Sequence, residues 1–212
     1  MTSAADDRQD HAPTGAPVSD GAGRRLLFVI TSLDYGGAEA PIVELTARFR
    51  ERGWHVATVS LIEPRAYESK LTAVGAELHS LGMPRGVPDP RGVARLAAIY
   101  ARFRPDVVHA HMVHANVVAR LARLLTPVPC LVSTVHNVVE GGRWMTHAYR
   151  LTDGLSEFTS NVSREGVDRY VRLGAVPAAK CAYVPNGINL RRFRRDPAAR
   201  AAVRASLGVD KG

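Results

Sequence analysis

The sequence predicts an α/β fold: a doubly wound, mostly parallel sheet with helices on both faces. Three observations carry this expectation. Short apolar runs, each long enough for one buried strand, alternate with helix-compatible segments along almost the whole chain. The first such unit, Leu26–Thr31 followed by Ser32–Glu39, empties into a polar loop with a glycine pair before a helix begins, which is the opening of a βαβ crossover. No apolar run approaches the ~20 residues that a membrane-spanning helix needs.

The elements follow in order. Ala40–Arg50 suits a helix that Gly53 closes. Trp54–Ile62, β-branched and apolar, is the second strand. Ala66–Val74 is helical, Gly75–Leu81 is a short third strand, and Met83–Pro88 is a loop broken by glycine and proline. Asp89 caps a helix with Pro90 at its first position; it runs over Arg91–Phe103 with Val93, Leu96, Ala97, Tyr100 and Phe103 on one face. Asp106–Ala110 is the fourth strand, and Val113–Leu125 a helix that turns Val117, Leu121, Leu124 and Leu125 inward. Val128–Val135 is the fifth strand, then Asn137–Arg143 a loop and Trp144–Leu151 a helix. Gly154–Ser160 is the sixth strand, Val162–Leu173 a helix ending at Gly174, and Ala182–Val184 a seventh strand stopped by Pro185–Asn189. One amphipathic helix is expected over Ala198–Leu207.

Residues 1–23, rich in Ala, Asp, Pro, Gly and Ser, read as a disordered tail, and residues 24–190 as one domain. The tail lacks the basic start and apolar middle of a signal peptide, so the expected location is the cytoplasm. Cys130 and Cys181 belong to no Cys-x-x-Cys or Cys/His cluster, which points to buried free thiols rather than a metal site. The net charge is +8, although the tail holds four aspartates against Arg8 alone, so the domain itself is still more basic. Such a surface favours phosphates, nucleotides or anionic lipid. With only 6% aromatic residues and arginines scattered along helices, no nucleic-acid recognition pattern emerges.

Ligands of such sheets bind beyond the carboxyl ends of the strands. Gly36 and Gly37 follow the first strand; His109, His111 and His114 come with the fourth; Thr134, His136 and Asn137 with the fifth. Ser160 and Asn161 end the sixth, and Asn186 and Gly187 follow the seventh. The glycine pair is a tight turn or a loop that admits a ligand to backbone, and its place after the first strand favours the second reading. Glu39 is a first-turn acid that suits the helix dipole. His109 and His111 are read as pointing to opposite faces, so that at most one reaches the cleft and the two hold no metal together. His114 is expected at the surface. Ser160 and Asn161 alternatively cap the helix beginning at Val162, and Asn186-Gly187 alternatively is turn chemistry alone. Arg191, Arg192, Arg194 and Arg195 form a solvated face or a membrane-surface contact.

Four segments in register, Gly36-Gly-Ala-Glu39, Pro105-Asp-Val-Val-His-Ala-His111, Ser133-Thr-Val-His-Asn137 and Val184-Pro-Asn-Gly-Ile-Asn189, together resemble the N-terminal half of a GT-B, family 4 retaining glycosyltransferase. The resemblance covers roughly Arg24 to Phe193. It implies a Rossmann-like domain that binds the acceptor, while a second domain holds the nucleotide-sugar co-substrate; no other cofactor is implied. By resemblance, His136 is the active-site histidine, and Gly36 and Gly37 lie against the donor's diphosphate or sugar. His109, His111, Asn137, Ser160 and Asn186 are candidates for the cleft that takes a sugar or lipid-linked acceptor. Asn186-Gly187 marks the hinge, with residues 191–212 as linker and start of the second domain. The donor domain's nucleotide pocket and paired glutamates are absent from the sequence, so the chain alone is expected to bind weakly and transfer nothing measurable. Three rivals remain: a binding module or split enzyme needing a separate donor-domain chain, half of a nucleotide-sugar epimerase, and a dinucleotide oxidoreductase. The last has Glu63 as a conceivable ribose acid but lacks the G-x-G-x-x-G fingerprint.

Overall fold

The computed structural model describes residues 23–86, 89–139, 142–188, 190 and 194–209. The tail up to residue 22, together with Arg191 and Arg192, lies outside them. Seven strands appear: β1 (Arg25–Ile30), β2 (His55–Ser60), β3 (Glu77–Ser80), β4 (Val107–His111), β5 (Cys130–Val135), β6 (Phe158–Asn161) and β7 (Cys181–Tyr183). Between and after them run α1 (Glu39–Glu51), α2 (Glu68–Ala73), α3 (Pro90–Phe103), α4 (Val113–Leu125), α5 (Arg143–Thr152), α6 (Arg164–Arg172) and α7 (Pro197–Ser206). The strands form one sheet in the order β3-β2-β1-β4-β5-β6-β7. Every neighbouring pair is parallel, so the sheet is wholly parallel rather than mostly so.

Helices cover both faces, as a parallel sheet requires. On one face α3 and α4 pack Leu96, Tyr100, Ala115 and Ala119 against Leu27, Val29, Val108 and Leu131. On the other, α1 contributes Ile42 and α2 Leu71 against Leu26, Phe28 and Ile30. A third cluster joins α4, α5 and α6 through Val113, Met145, Tyr149 and Tyr170. The strand order reverses between β1 and β4, the point beyond whose carboxyl ends sheets of this kind take their ligands.

The predicted elements are all present with shifted ends, and four expectations need correction. First, Leu124 and Leu125 of α4 are exposed rather than inward, while Val117 and Leu121 are half-buried and Ala115, Asn116, Ala119, Arg120 and Ala122 are buried. Alanines let the helix approach the sheet closely; Arg120 is accepted because its guanidinium is hydrogen-bonded, and Asn116 because its side-chain NH2 donates twice, although its Oδ1 has no partner among the described residues. Second, residues Asp153–Leu155 form a short 3-10 turn, so β6 begins only at Phe158. Third, Ser163 rather than Ser160 or Asn161 caps α6, its hydroxyl accepting from the Gly166 N–H at 3.0 Å. Asn161 supports the cap by accepting from the Ser163 backbone N–H and hydroxyl. Fourth, Cys130 and Cys181, both free, are only half-buried at the starts of β5 and β7. Asp89 caps α3 as expected, its carboxylate accepting from the Arg91 N–H.

Arg120 occupies the centre of the α4–α5–β5–β6 layer and is fully buried. Its guanidinium donates to Ser133 Oγ (3.2 Å), Thr152 Oγ1 (3.3 Å) and Thr159 Oγ1 (2.9 Å), and lies 4.6 Å from the centre of the Tyr149 ring. Burial pulls its pKa down, with Tyr149 and Asp153 pulling the other way. Three hydroxyls and the Tyr149 ring, with the Asp153 carboxylate acting from nearby, offset part of the cost of burying this charge.

Candidate functional site

The site begins with a parallel register. Pairing of β4 with β5 sets His109 beside Val132 and His111 beside Thr134; pairing of β5 with β6 sets Thr134 beside Ser160. Residues two apart on a strand share a face. His109 and His111 therefore point the same way, against the expectation of opposite faces, and their ring centres lie 4.0 Å apart. The period of a strand is two, so i and i+2 always share a side; the expectation misapplied it.

The two rings belong to a buried polar layer. Phe28 of β1 flanks both, at 5.8 Å from His109 and 5.7 Å from His111. His109 Nε2 lies 2.7 Å from Thr134 Oγ1, which in turn lies 2.7 Å from Ser160 Oγ. His111 Nδ1 lies 3.0 Å from His136 Nε2. His136 follows the last residue of β5, so the strand end itself delivers the third ring. Burial depresses all three pKa values. His109 falls to about 4, with His136 adding to the effect; His136 falls to about 4 by burial. His111 falls well below its ordinary value, through burial first and its two neighbours after it. All three imidazoles are neutral at pH 7.

In a neutral pair sharing one hydrogen bond, one ring donates and the other accepts. His111 Nε2 and His136 Nδ1 are the two nitrogens left over, both without a hydrogen-bond partner among the described residues. Whichever tautomer forms, one of them carries a proton and the other a lone pair. The pair thus carries one unused donor and one unused acceptor, both buried in this structure. Among the described residues no group of three His, Cys, Asp or Glu is arranged to hold a metal ion.

Between His111 and α4 stands Met112, with φ 72° and ψ 150°. Glycine is at ease in that region and methionine is not. The position is held by Met112 N–H donating to Thr134 O (3.0 Å) and Asn116 N–H donating to Met112 O (2.9 Å). The strain sits at the switch point, where it turns α4 sharply away from His111. Asn116 completes the support, its side-chain amide donating to Thr134 O and to Tyr149 Oη.

The glycine loop lies at the same edge of the sheet. One strand, β4, separates β1 from β5, a lateral offset of about 10 Å. A side chain at Gly36 would strike the Glu39 carboxylate, whose oxygen lies 2.3 Å from the place of the missing Cβ. Glu39 is buried and accepts from the Ser32 hydroxyl, so it fastens the loop from inside in addition to favouring the helix start. Gly37 has nothing within 4 Å and is open. No side chain caps the N-terminus of α1.

The remaining candidates stand apart. Ser160 is buried behind the histidines and committed to Thr134. Asn137 is exposed, its carbonyl accepting from Asn161. Asn186 and Gly187 are exposed, as is His114, whose ring is 6.2 Å from Trp144. A groove of about 490 Å³ between α5 and α6 is lined by Val138, Met145, Tyr149, Arg169, Tyr170 and Leu173 among others; none of the candidate residues lines it. The sequence reading missed Asn116, Arg120 and Tyr149. Their signal was an Asn and an Arg four apart on a helix of alanines, a spacing that puts both on one face.

Solved structures share this fold. The chain matches a protein from Anabaena, Alr3699/HepE in complex with UDP-glucose, at 20% identity and a TM-score of 0.67, covering 87% of this chain and 50% of that one. It matches a glycosyltransferase from Rickettsia africae at 14% identity and a TM-score of 0.71, covering 89% and 51%. A sucrose-phosphate synthase from Thermosynechococcus elongatus follows at 14% and 0.64, covering 88% and 53%. The chain therefore spans about half the length of the solved chains it matches. Among curated proteins none matches. Among the described residues no helix is long and apolar enough to cross a membrane. Residues 35–192, well over half of the chain, match the model described as Glycosyltransferase Family 4, and the chain belongs to that family.

Proposed function

We propose that this chain is the acceptor-binding half of a retaining glycosyltransferase, and that it transfers sugar only together with a donor-binding half. The observation that carries the reading is the neutral His111–His136 pair at the carboxyl edge of β4 and β5, beside the open glycine loop of a family 4 fold. In transfer, the bond from the sugar to the diphosphate breaks, a bond from the sugar to the acceptor oxygen forms, and the acceptor's proton leaves with the diphosphate. The catalytic demand is to hold the diphosphate, stabilise its growing charge and orient the hydroxyl. On this reading Gly37 and the start of α1 face the diphosphate or sugar. His136 orients a hydroxyl of the reacting sugars. With a pKa of about 4 it is too weak a base to carry the proton at pH 7, and it acts as a neutral hydrogen-bond partner. His109, Thr134 and Ser160 hold His111 and His136 in place. The acceptor is a sugar or a lipid-linked molecule, and Asn186-Gly187 is the hinge to the donor half.

The test is transfer from a panel of nucleotide-sugars, run on the 212-residue chain and on the same chain extended by any coding sequence that continues past Gly212. The chain alone is expected to be inactive. In the extended chain, His136→Ala is expected to lower kcat about 10²-fold, the scale of one positioned side chain. An extended chain indifferent to His136→Ala, or sugar transfer by the chain alone, overturns the reading.

A further inference from the structure

A second cluster stands at the same edge, on the other side of the glycine pair. Tyr35, immediately before Gly36, is 84% exposed. Its ring rests against Tyr67 from the loop after β2, with centres 5.7 Å apart and planes tilted by 59°. A single exposed ring is ordinary on a protein surface, but this one is half of an aromatic pair in the loop that carries Gly36. The ring is also held in place. Leu33 O accepts from the Arg65 N–H (3.0 Å) and the Ala66 N–H (2.8 Å), which ties the loop after β1 to the loop after β2. Arg85, after β3, pairs with Asp34 at 2.5 Å and ties in the third loop. Tyr67 holds a left-handed backbone, φ 64°, and Lys70 lies 5.0 Å from the centre of its ring.

An open aromatic ring beside a carboxylate–guanidinium pair has the chemistry of a carbohydrate site. A pyranose presents a face of C–H groups, which packs on an aromatic ring, and a rim of hydroxyls, which a carboxylate accepts from and a guanidinium donates to. We propose that Tyr35, supported by Tyr67 and flanked by Asp34 and Arg85, is the stacking subsite for a pyranose ring of the acceptor. The inference rests on the acceptor-half reading above and names its substrate class: an acceptor that presents a sugar ring, rather than a bare lipid alcohol or a protein side chain.

Saturation-transfer NMR on the 212-residue chain, with methyl β-D-glucopyranoside, methyl α-D-mannopyranoside and methyl β-D-galactopyranoside as probes and uridine as a competing flat ring, tests it. At least one glycoside is expected to receive saturation at its ring C–H protons. Tyr35→Ala is expected to weaken that binding about tenfold, the scale of one aromatic contact. Tyr35→Phe and Tyr35→Trp are expected to keep it, because the ring and not the hydroxyl stacks. Tyr35 is open to solvent, so an unchanged melting midpoint in Tyr35→Ala shows that the loss is local. Glycosides that fail to bind, glycoside binding indifferent to Tyr35→Ala, or uridine as the ligand that Tyr35→Ala removes each overturn the proposal. The enzyme reading fails separately. Glycoside binding that needs Tyr35, in an extended chain whose transfer ignores His136→Ala, leaves the subsite standing; transfer that needs His136, with binding indifferent to Tyr35, sinks the subsite alone.

Discussion

Three imidazoles stacked at the end of β4 and β5 make the folded chain sensitive to acid. Free histidine titrates near 6.5, whereas His109 and His136 titrate at about 4 and His111 below its ordinary range. Between those values the unfolded chain binds protons that the folded chain refuses, so stability falls as pH falls from about 6.5 toward 4. Above about 6.5 these groups contribute no pH dependence. The slope is about 1.4 kcal/mol per pH unit for each histidine. Urea unfolding at a series of pH values is expected to show this loss, and His109→Asn to reduce the slope. At Arg120 the expectation differs in kind. Arg120→Ala strands the Thr159 hydroxyl, removes one partner each from Ser133 and Thr152, and leaves a cavity, at a cost of about 3–5 kcal/mol in urea unfolding, and Arg120→Met, which refills the volume, costs less. That His109, His111 and His136 gather toward the carboxyl edge of the sheet was legible in the sequence, and so was the shared face of His109 and His111, which follows from the two-residue period of a strand. The hydrogen-bond partner of each ring was not, since it depends on which strands become neighbours.

Among the elements, α6 shows how context reverses a propensity. Gly166 sits in its first turn, and alanine there would ordinarily gain about 0.5–1 kcal/mol. A Cβ at Gly166 would lie 2.2 Å from the Asn161 side chain, which is buried and held by Ser163. Gly166→Ala is therefore expected to cost about 1–3 kcal/mol, measured by thermal or urea unfolding. The strands and the cap of α3 could be read from the sequence because they rest on local signals: apolar runs, and an aspartate before a proline. The buried face of α4 could not. Its leucines outweigh its alanines in any hydrophobic count, yet close packing against a sheet rewards small residues, and Asn116 and Arg120 are admitted by partners far along the chain.

For the molecule as a whole, the switch point between β1 and β4 organises everything near it. The glycine loop and Tyr35 lie on one flank, the histidines and the strained Met112 on the other. The alternation of strands and helices fixes that topology, because parallel strands need right-handed crossovers and leave few arrangements open. The far end of the chain behaves otherwise. α7 buries none of its residues, and Val203, Leu207 and Val209 are exposed. Its amides are expected to exchange with solvent far faster than those of β1 and β4. Ending the chain at Arg195, before α7, is expected to change the unfolding free energy by less than about 0.5 kcal/mol.

Thr134 reaches both layers of the protein at once. Its carbonyl accepts from Asn116, and through that amide meets Tyr149 and the Arg120 stack behind the sheet; its hydroxyl meets His109 and Ser160 in front. A strand only one residue thick is all that separates the two. A substitution at Asn116 is therefore expected to reach the His109 ring from behind the sheet, read as a shift of its imidazole signals in NMR.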